Sequence, residues 1–80
     1  MPVTVWTQPG CGPCYALKAA LKGAGVAYVE RDASTADAGA IAAWRANGWR
    51  TPIVEYAGGT FAGFHPANVA RVIDTARLAR

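Results

Sequence analysis

Cys11 and Cys14 are the only cysteines of this 80-residue chain, and they stand where the sequence changes from a strand pattern to a helix pattern. Upstream, Val3-Thr4-Val5-Trp6-Thr7 is β-branched and aromatic and too short for a helix. It reads as a first strand, central in its sheet and buried on both faces. Gln8-Pro9-Gly10 breaks it. From about Gly12 the residues Tyr15, Ala16, Leu17, Ala19, Ala20 and Leu21 form a helical pattern, with Lys18 and Lys22 on another face. Gly23 and Gly25 supply the stop. A strand that passes its chain to a helix through Cys-Gly-Pro-Cys leaves few folds open.

The remaining elements narrow the choice further. Val26–Arg31 reads as a second strand, and the capping residues of Asp32–Asp37 open a helix that runs through Ile41 and Trp44 to Asn47-Gly48. Pro52–Tyr56 is a third strand, with proline at its first position where no ladder donor is needed. Ala57-Gly58-Gly59 signals a turn, and Thr60-Phe61-Ala62 is the return strand of a hairpin. Pro66 suits the first turn of a last helix whose apolar stripe is Val69, Val72, Ile73, Ala76 and Leu78, with Arg77 and Arg80 near its C-terminus. The expected fold is α/β, in the order β-α-β-α-β-β-α. The first strand pair is parallel through a right-handed crossover, the last pair is antiparallel, and helices cover both faces of a four-stranded mixed sheet. Residues 1–80 read as one domain without repeat, linker or low-complexity segment.

The position of the cysteines carries the chemistry. Unpaired backbone N–H groups and the positive dipole end of a helix favour an anion, so a thiolate at Cys11 is stabilised and nucleophilic near neutral pH. Cys14, one turn inward, is more sheltered and suited to resolving a mixed disulfide. Two intervening residues permit the short sulfur–sulfur approach of an intramolecular disulfide. Gly12 allows a tight turn and close approach of a substrate backbone. Pro13 fits the first helical turn and stiffens the loop, favouring a reducing couple. A structural disulfide closing so short a loop would stabilise little, and a zinc site wants four ligands where only His65 could join the cysteines. No metal and no cofactor is expected.

Composition excludes other classes. The apolar share of 52% supports a packed core, and the net charge of +3 is spread over Lys18, Lys22, Arg31, Arg45, Arg50, Arg71, Arg77 and Arg80 without a cluster. That dispersal argues against nucleic-acid binding. No apolar run is long enough for a membrane span, and the N-terminus lacks a basic region followed by an apolar stretch, so a cytoplasmic address is the default. A monomer is the simplest expectation.

Two further corners are candidate parts of the site. Thr51-Pro52 opens the third strand and is expected to be a cis peptide beside the cysteines, where the Thr51 backbone can pair with an extended client segment. Trp49 and Arg50 just before it are either groove residues or packing and solvated charge. Gly63-Phe64-His65-Pro66 joins the hairpin to the last helix, with Gly63 at a position of close backbone approach and His65 read as a solvated loop residue.

Taken together, Thr7-Gln8-Pro9-Gly10-Cys11-Gly12-Pro13-Cys14, the Thr51-Pro52 corner and Gly63-Phe64-His65-Pro66 resemble NrdH-type redoxins, which are glutaredoxin-sized members of the thioredoxin superfamily. The resemblance runs from Val3 to the last helix, and the Gly-Phe-x-Pro segment with Phe61 before it points to that branch. It implies a minimal thioredoxin/glutaredoxin fold, reduction by thioredoxin reductase, and electron delivery to a class Ib ribonucleotide reductase or another disulfide-containing client. Cys11 is then the attacking thiolate and Cys14 the resolving thiol. Gln8, Trp49, Arg50, Thr51 and Pro52 line the substrate groove, with Gly63 and Phe64 its neighbouring wall.

The chain departs from its relatives in four places. Gln8 stands where the family commonly has a lysine, which removes one cation from the thiolate. Gly12-Pro13 is the thioredoxin pair. The Gly-Gly-x-Asp glutathione-binding turn of glutaredoxins is replaced by Gly63-Phe64-His65. The buried acid that thioredoxins place beneath the cysteines has no counterpart in Val3–Thr7, so water or the other thiol takes the proton during resolution. The competing readings are a glutathione-dependent glutaredoxin and, from a different class, a metal- or iron–sulfur-handling Cys-x-x-Cys module.

Overall fold

The computed structural model describes residues 3–78. Strand β1 (Val3–Thr7) lies between β2 (Tyr28–Asp32) and β3 (Ile53–Tyr56), and β4 (Gly59–Ala62) completes a sheet of order β2-β1-β3-β4. β1 and β2 are parallel, pairing Val5 with Glu30 and Thr7 with Asp32, whereas β1–β3 and β3–β4 are antiparallel. Helices α1 (Gly12–Gly23), α2 (Ala38–Ala46) and α3 (Pro66–Leu78) complete the expected order. Arg80, expected near the end of α3 with Arg77, lies outside the described residues.

The core forms on one face of the sheet. Val3, Val5 and Val54 meet Leu17 and Leu21 of α1 and Val69 and Val72 of α3. Leu17 and Leu21 are wholly buried, a contribution of about 1.5–3 kcal/mol each. They stand one helical turn apart on the stripe that also carries Cys14, so packing α1 onto the sheet fixes the cysteine helix.

β1 is central, as expected, but not buried on both faces. Val3, Val5 and Thr7 are buried while Thr4 and Trp6 are partly open. The second face is covered thinly by α2, which has no fully buried residue and meets β1 through Trp44 against the Trp6 ring at 5.6 Å. Several boundaries also differ from the sequence reading, and two of the differences have a visible cause. Val26 is held to the end of α1 by its N–H donating to the Leu21 carbonyl at 2.9 Å, so the second strand starts at Tyr28. The capping cluster splits into two starts, because each acid binds its own backbone N–H. Asp32 caps a short 3-10 turn at Ala33–Thr35, and Asp37 caps α2 by accepting from the Ala40 N–H at 2.7 Å.

Candidate functional site

Cys11 is the N-cap of α1, with Gly12 and Pro13 opening the helix. The pair is bonded as a disulfide with a Cα–Cα distance of 5.3 Å. The backbone N–H of Cys14 donates to Cys11 Sγ at 3.2 Å. The N-terminal sulfur thus takes one of the orphan donors of the helix, as a capping oxygen would. The turn into the motif is made by Gly10, at φ 75°, rather than by Gly12, which has no positive φ because it already belongs to the helix. A side chain added at Gly12 would meet nothing within 4 Å, so its surface is open to an approaching backbone.

The site has two parts. One is a groove of about 790 Å³ that brings Gly12 and Pro13 together with Trp49, Arg50 and Thr51. Gly63, Phe64 and His65 form its other wall. The Thr51-Pro52 bond is cis, and Pro52 lies wholly buried beneath the groove rather than in its wall. The Gly63 N–H donates to the Pro52 carbonyl at 2.8 Å, tying the two corners together, and Gly63 takes a φ of 85° there. Thr51 Oγ1 is buried with no hydrogen-bond partner among the described residues.

The cysteines themselves line a second, smaller cavity of about 410 Å³, with Gln8, Thr7, Lys18 and Glu30. Gln8 is therefore separated from the remaining groove candidates. Lys18 Nζ pairs with Glu30 Oε2 at 2.8 Å, and Thr7 Oγ1 donates to the same oxygen at 3.1 Å. The Lys18 hydrogen bond, followed by that from Thr7, holds the Glu30 carboxyl below its ordinary range. The same hydrogen bond holds the Lys18 ammonium above its own.

Sequence reasoning did not single out Lys18, Glu30 or Thr7 as members of the site. Lys18 follows Cys14 by one helical turn on the same face, a spacing that could have marked it. Glu30 had no such signal, since its place depends on the register of β2 against β1. Among the described residues no group of three or more His, Cys, Asp or Glu side chains is arranged to hold a metal ion. None of the helices described is long and apolar enough to cross a membrane.

The fold and the cysteine pair define a class, and comparison with known proteins agrees. The glutaredoxin family model matches residues 3–54, and the chain belongs to the glutaredoxin family. It is a thiol–disulfide oxidoreductase of thioredoxin-like fold. Within that class it is similar to the glutaredoxin-like protein NrdH-redoxin of Escherichia coli, whose activity profile is described as thioredoxin-like. Identity there is 29% at a TM-score of 0.74, covering 90% of this chain and 95% of that one. The thioredoxin-like protein BC3987 is 35% identical at a TM-score of 0.68, covering 88% of this chain and 97% of that one. A single-residue variant of BC3987 is 32% identical at a TM-score of 0.70, covering 90% and 94%. These neighbours agree with the NrdH-type resemblance read from the cysteine, cis-proline and Gly-Phe-x-Pro segments. A search of curated protein sequences gave no match.

Proposed function

We propose that this redoxin reduces protein disulfides, takes its electrons from thioredoxin reductase and passes them to a class Ib ribonucleotide reductase or another disulfide client. The observation that carries the reading is the groove beside Gly12-Pro13, whose far wall is Gly63-Phe64-His65 in place of a glutathione-binding turn. Phe64 is partly exposed there and Thr51 adjoins the cis proline, a shape suited to an extended protein segment. Gly12, Pro13, Trp49, Arg50, Thr51, Gly63 and Phe64 contact the client, and Pro52 supports Thr51 from below.

In this reading Cys11 thiolate attacks one sulfur of the client disulfide. The client S–S bond breaks, its other sulfur leaves as a thiolate and takes a proton, and Cys11 is joined to the client. Cys14 then loses its thiol proton and attacks Cys11 Sγ. The bond to the client breaks and the second client sulfur leaves and is protonated. The client gains two electrons and two protons, and the protein is left as the Cys11–Cys14 disulfide.

Oxidised protein offered thioredoxin reductase with NADPH, against glutathione with glutathione reductase and NADPH, tests the pathway. Rapid reduction by the first system alone supports it. Preference for the second moves the protein to the glutathione-dependent glutaredoxins, with the cysteine chemistry intact and the pathway wrong.

A further inference from the structure

We propose that Lys18 and Glu30 act as a positioning pair that sets the thiolate population of the reduced Cys11–Cys14 dithiol, Lys18 raising it and Glu30 restraining Lys18. The inference rests on the redoxin reading above and adds a control that the cysteine motif alone does not supply.

Cys11, Cys14, Lys18 and Glu30 all line one cavity. Cys14 is only 2% exposed, so charges near it are weakly screened by water. Among the residues lining that cavity Lys18 is the one cation, and the neighbouring Gln8 is neutral. A lysine in this position would ordinarily extend to water. Here Glu30 Oε2 holds its ammonium at 2.8 Å, and the carboxylate is itself fixed by the buried Thr7 hydroxyl at 3.1 Å. The Lys18 side chain is accordingly less exposed than that of Glu30, at 22% against 44%.

The other groups facing the pair do not take over its role. Tyr15 lies under the ammonium at 4.9 Å from ring centre to Nζ, and Tyr28 approaches it from β2. The other charge that β2 brings to this cavity, Asp32, is committed to Ser34, whose N–H and hydroxyl donate to it at 2.8 and 2.7 Å.

Their ionisation decides between two possible roles. Glu30 is held below its ordinary range and Lys18 above its own. Both therefore keep their charges through the range where a thiol titrates. A carboxylate so disposed is a poor proton acceptor, so Glu30 does not replace the acid beneath the cysteines of thioredoxins. The pair acts as a fixed dipole instead. Removing Lys18 leaves an uncompensated negative charge near the sulfurs and disfavours the thiolate. Removing the Glu30 charge releases an uncompensated ammonium and favours it.

The test compares reduced wild type with Lys18→Met, Glu30→Gln, the double variant and Lys18→Arg. It follows thiolate absorbance against pH and the alkylation rate of Cys11 by iodoacetamide at a pH below the midpoint. For partly solvated charges, Lys18→Met should alkylate about threefold more slowly and Glu30→Gln about threefold faster. The double variant should return close to wild type, and Lys18→Arg should match it. Opposite signs are the signature, since a merely structural role moves both single variants the same way. Rates that do not change, or that change in one direction, overturn the proposal. Insulin reduction by wild type with dithiothreitol runs alongside. No reduction there overturns the redoxin reading and this inference with it, whereas normal reduction with unchanged rates overturns only the pair.

Discussion

The asymmetry between the two cysteines follows from a single backbone hydrogen bond and can be measured. In the oxidised structure the Cys14 N–H points at Cys11 Sγ from 3.2 Å, and because that donor is backbone it survives replacement of the Cys14 side chain. A hydrogen bond to an anion exceeds one to a neutral acceptor by about 1 kcal/mol. The helix N-terminus adds about 0.3–1 kcal/mol for a negative charge in its first turn. Together these favour the Cys11 thiolate by about 1.3–2 kcal/mol, or roughly 8- to 25-fold in thiolate population at about 1.4 kcal/mol per tenfold. Cys14, almost fully buried inside the helix, has no such donor among the described residues, and burial disfavours its anion. Each cysteine is therefore isolated by replacing the other, and alkylation by iodoacetamide is timed at a pH below both midpoints. The Cys14→Ser protein should react at least about tenfold faster than the Cys11→Ser protein. The same preparations should differ with a disulfide client, Cys14→Ser accumulating mixed disulfide through Cys11 while Cys11→Ser traps none. Equal alkylation rates, or equal trapping, would refute the assignment of nucleophile and resolver.

Leu17 is wholly buried between α1 and the sheet. Leu17→Ala should therefore lose about 2–5 kcal/mol in urea unfolding of the oxidised protein, a large part of the roughly 4–12 kcal/mol available to a chain of this length. A loss under about 1 kcal/mol would mean that α1 is not anchored as described. Glu30 titrates below its ordinary value of 4.5 in the folded chain, so its contribution is complete above that value and is lost as pH falls through the lowered one. Lys18 titrates above 10.5 when folded, so its contribution is complete below that value and is lost as pH rises through the raised one. Thermal melts on the acid side should accordingly decline more gently in Lys18→Met than in wild type. The difference should be small, because the pair is partly solvated, and a steeper decline in the variant would contradict the coupling.

The order of elements, the parallel first crossover, the hairpin and the redox pair were legible in the sequence because each rests on local chemistry. β-Branched residues made β1, alanine and leucine made α1, glycine and proline marked the turns, and the spacing of Cys11 and Cys14 set them one helical turn apart. Local signals placed the boundaries less well where a distant partner intervened. Val26 reads as strand by composition, yet the Leu21 carbonyl claims its N–H. Asp32–Asp37 reads as one helix start, yet two acids each capped their own turn. The turn into the site belongs to Gly10, because Gly12 was drawn into the helix that Cys11 caps.

The family resemblance already grouped most groove residues, and tertiary structure supplied the contacts that bring them together. The Thr51-Pro52 and Gly63-Phe64 corners meet across the groove because β3 and β4 pair and the Gly63 N–H closes on the Pro52 carbonyl. Gln8 does not line that groove and belongs instead to the smaller cavity with the cysteines. Lys18 and Glu30 meet only because β2 lies parallel to β1 in a register that turns Glu30 toward α1, a relation between residues twelve apart that no helical or strand period encodes. The expectation that Cys11 is the nucleophile needs only the sequence, since a helix N-terminus acts on whatever sulfur caps it. The charges around that nucleophile depend on strand pairing across the sheet, and so they became visible only in the folded chain.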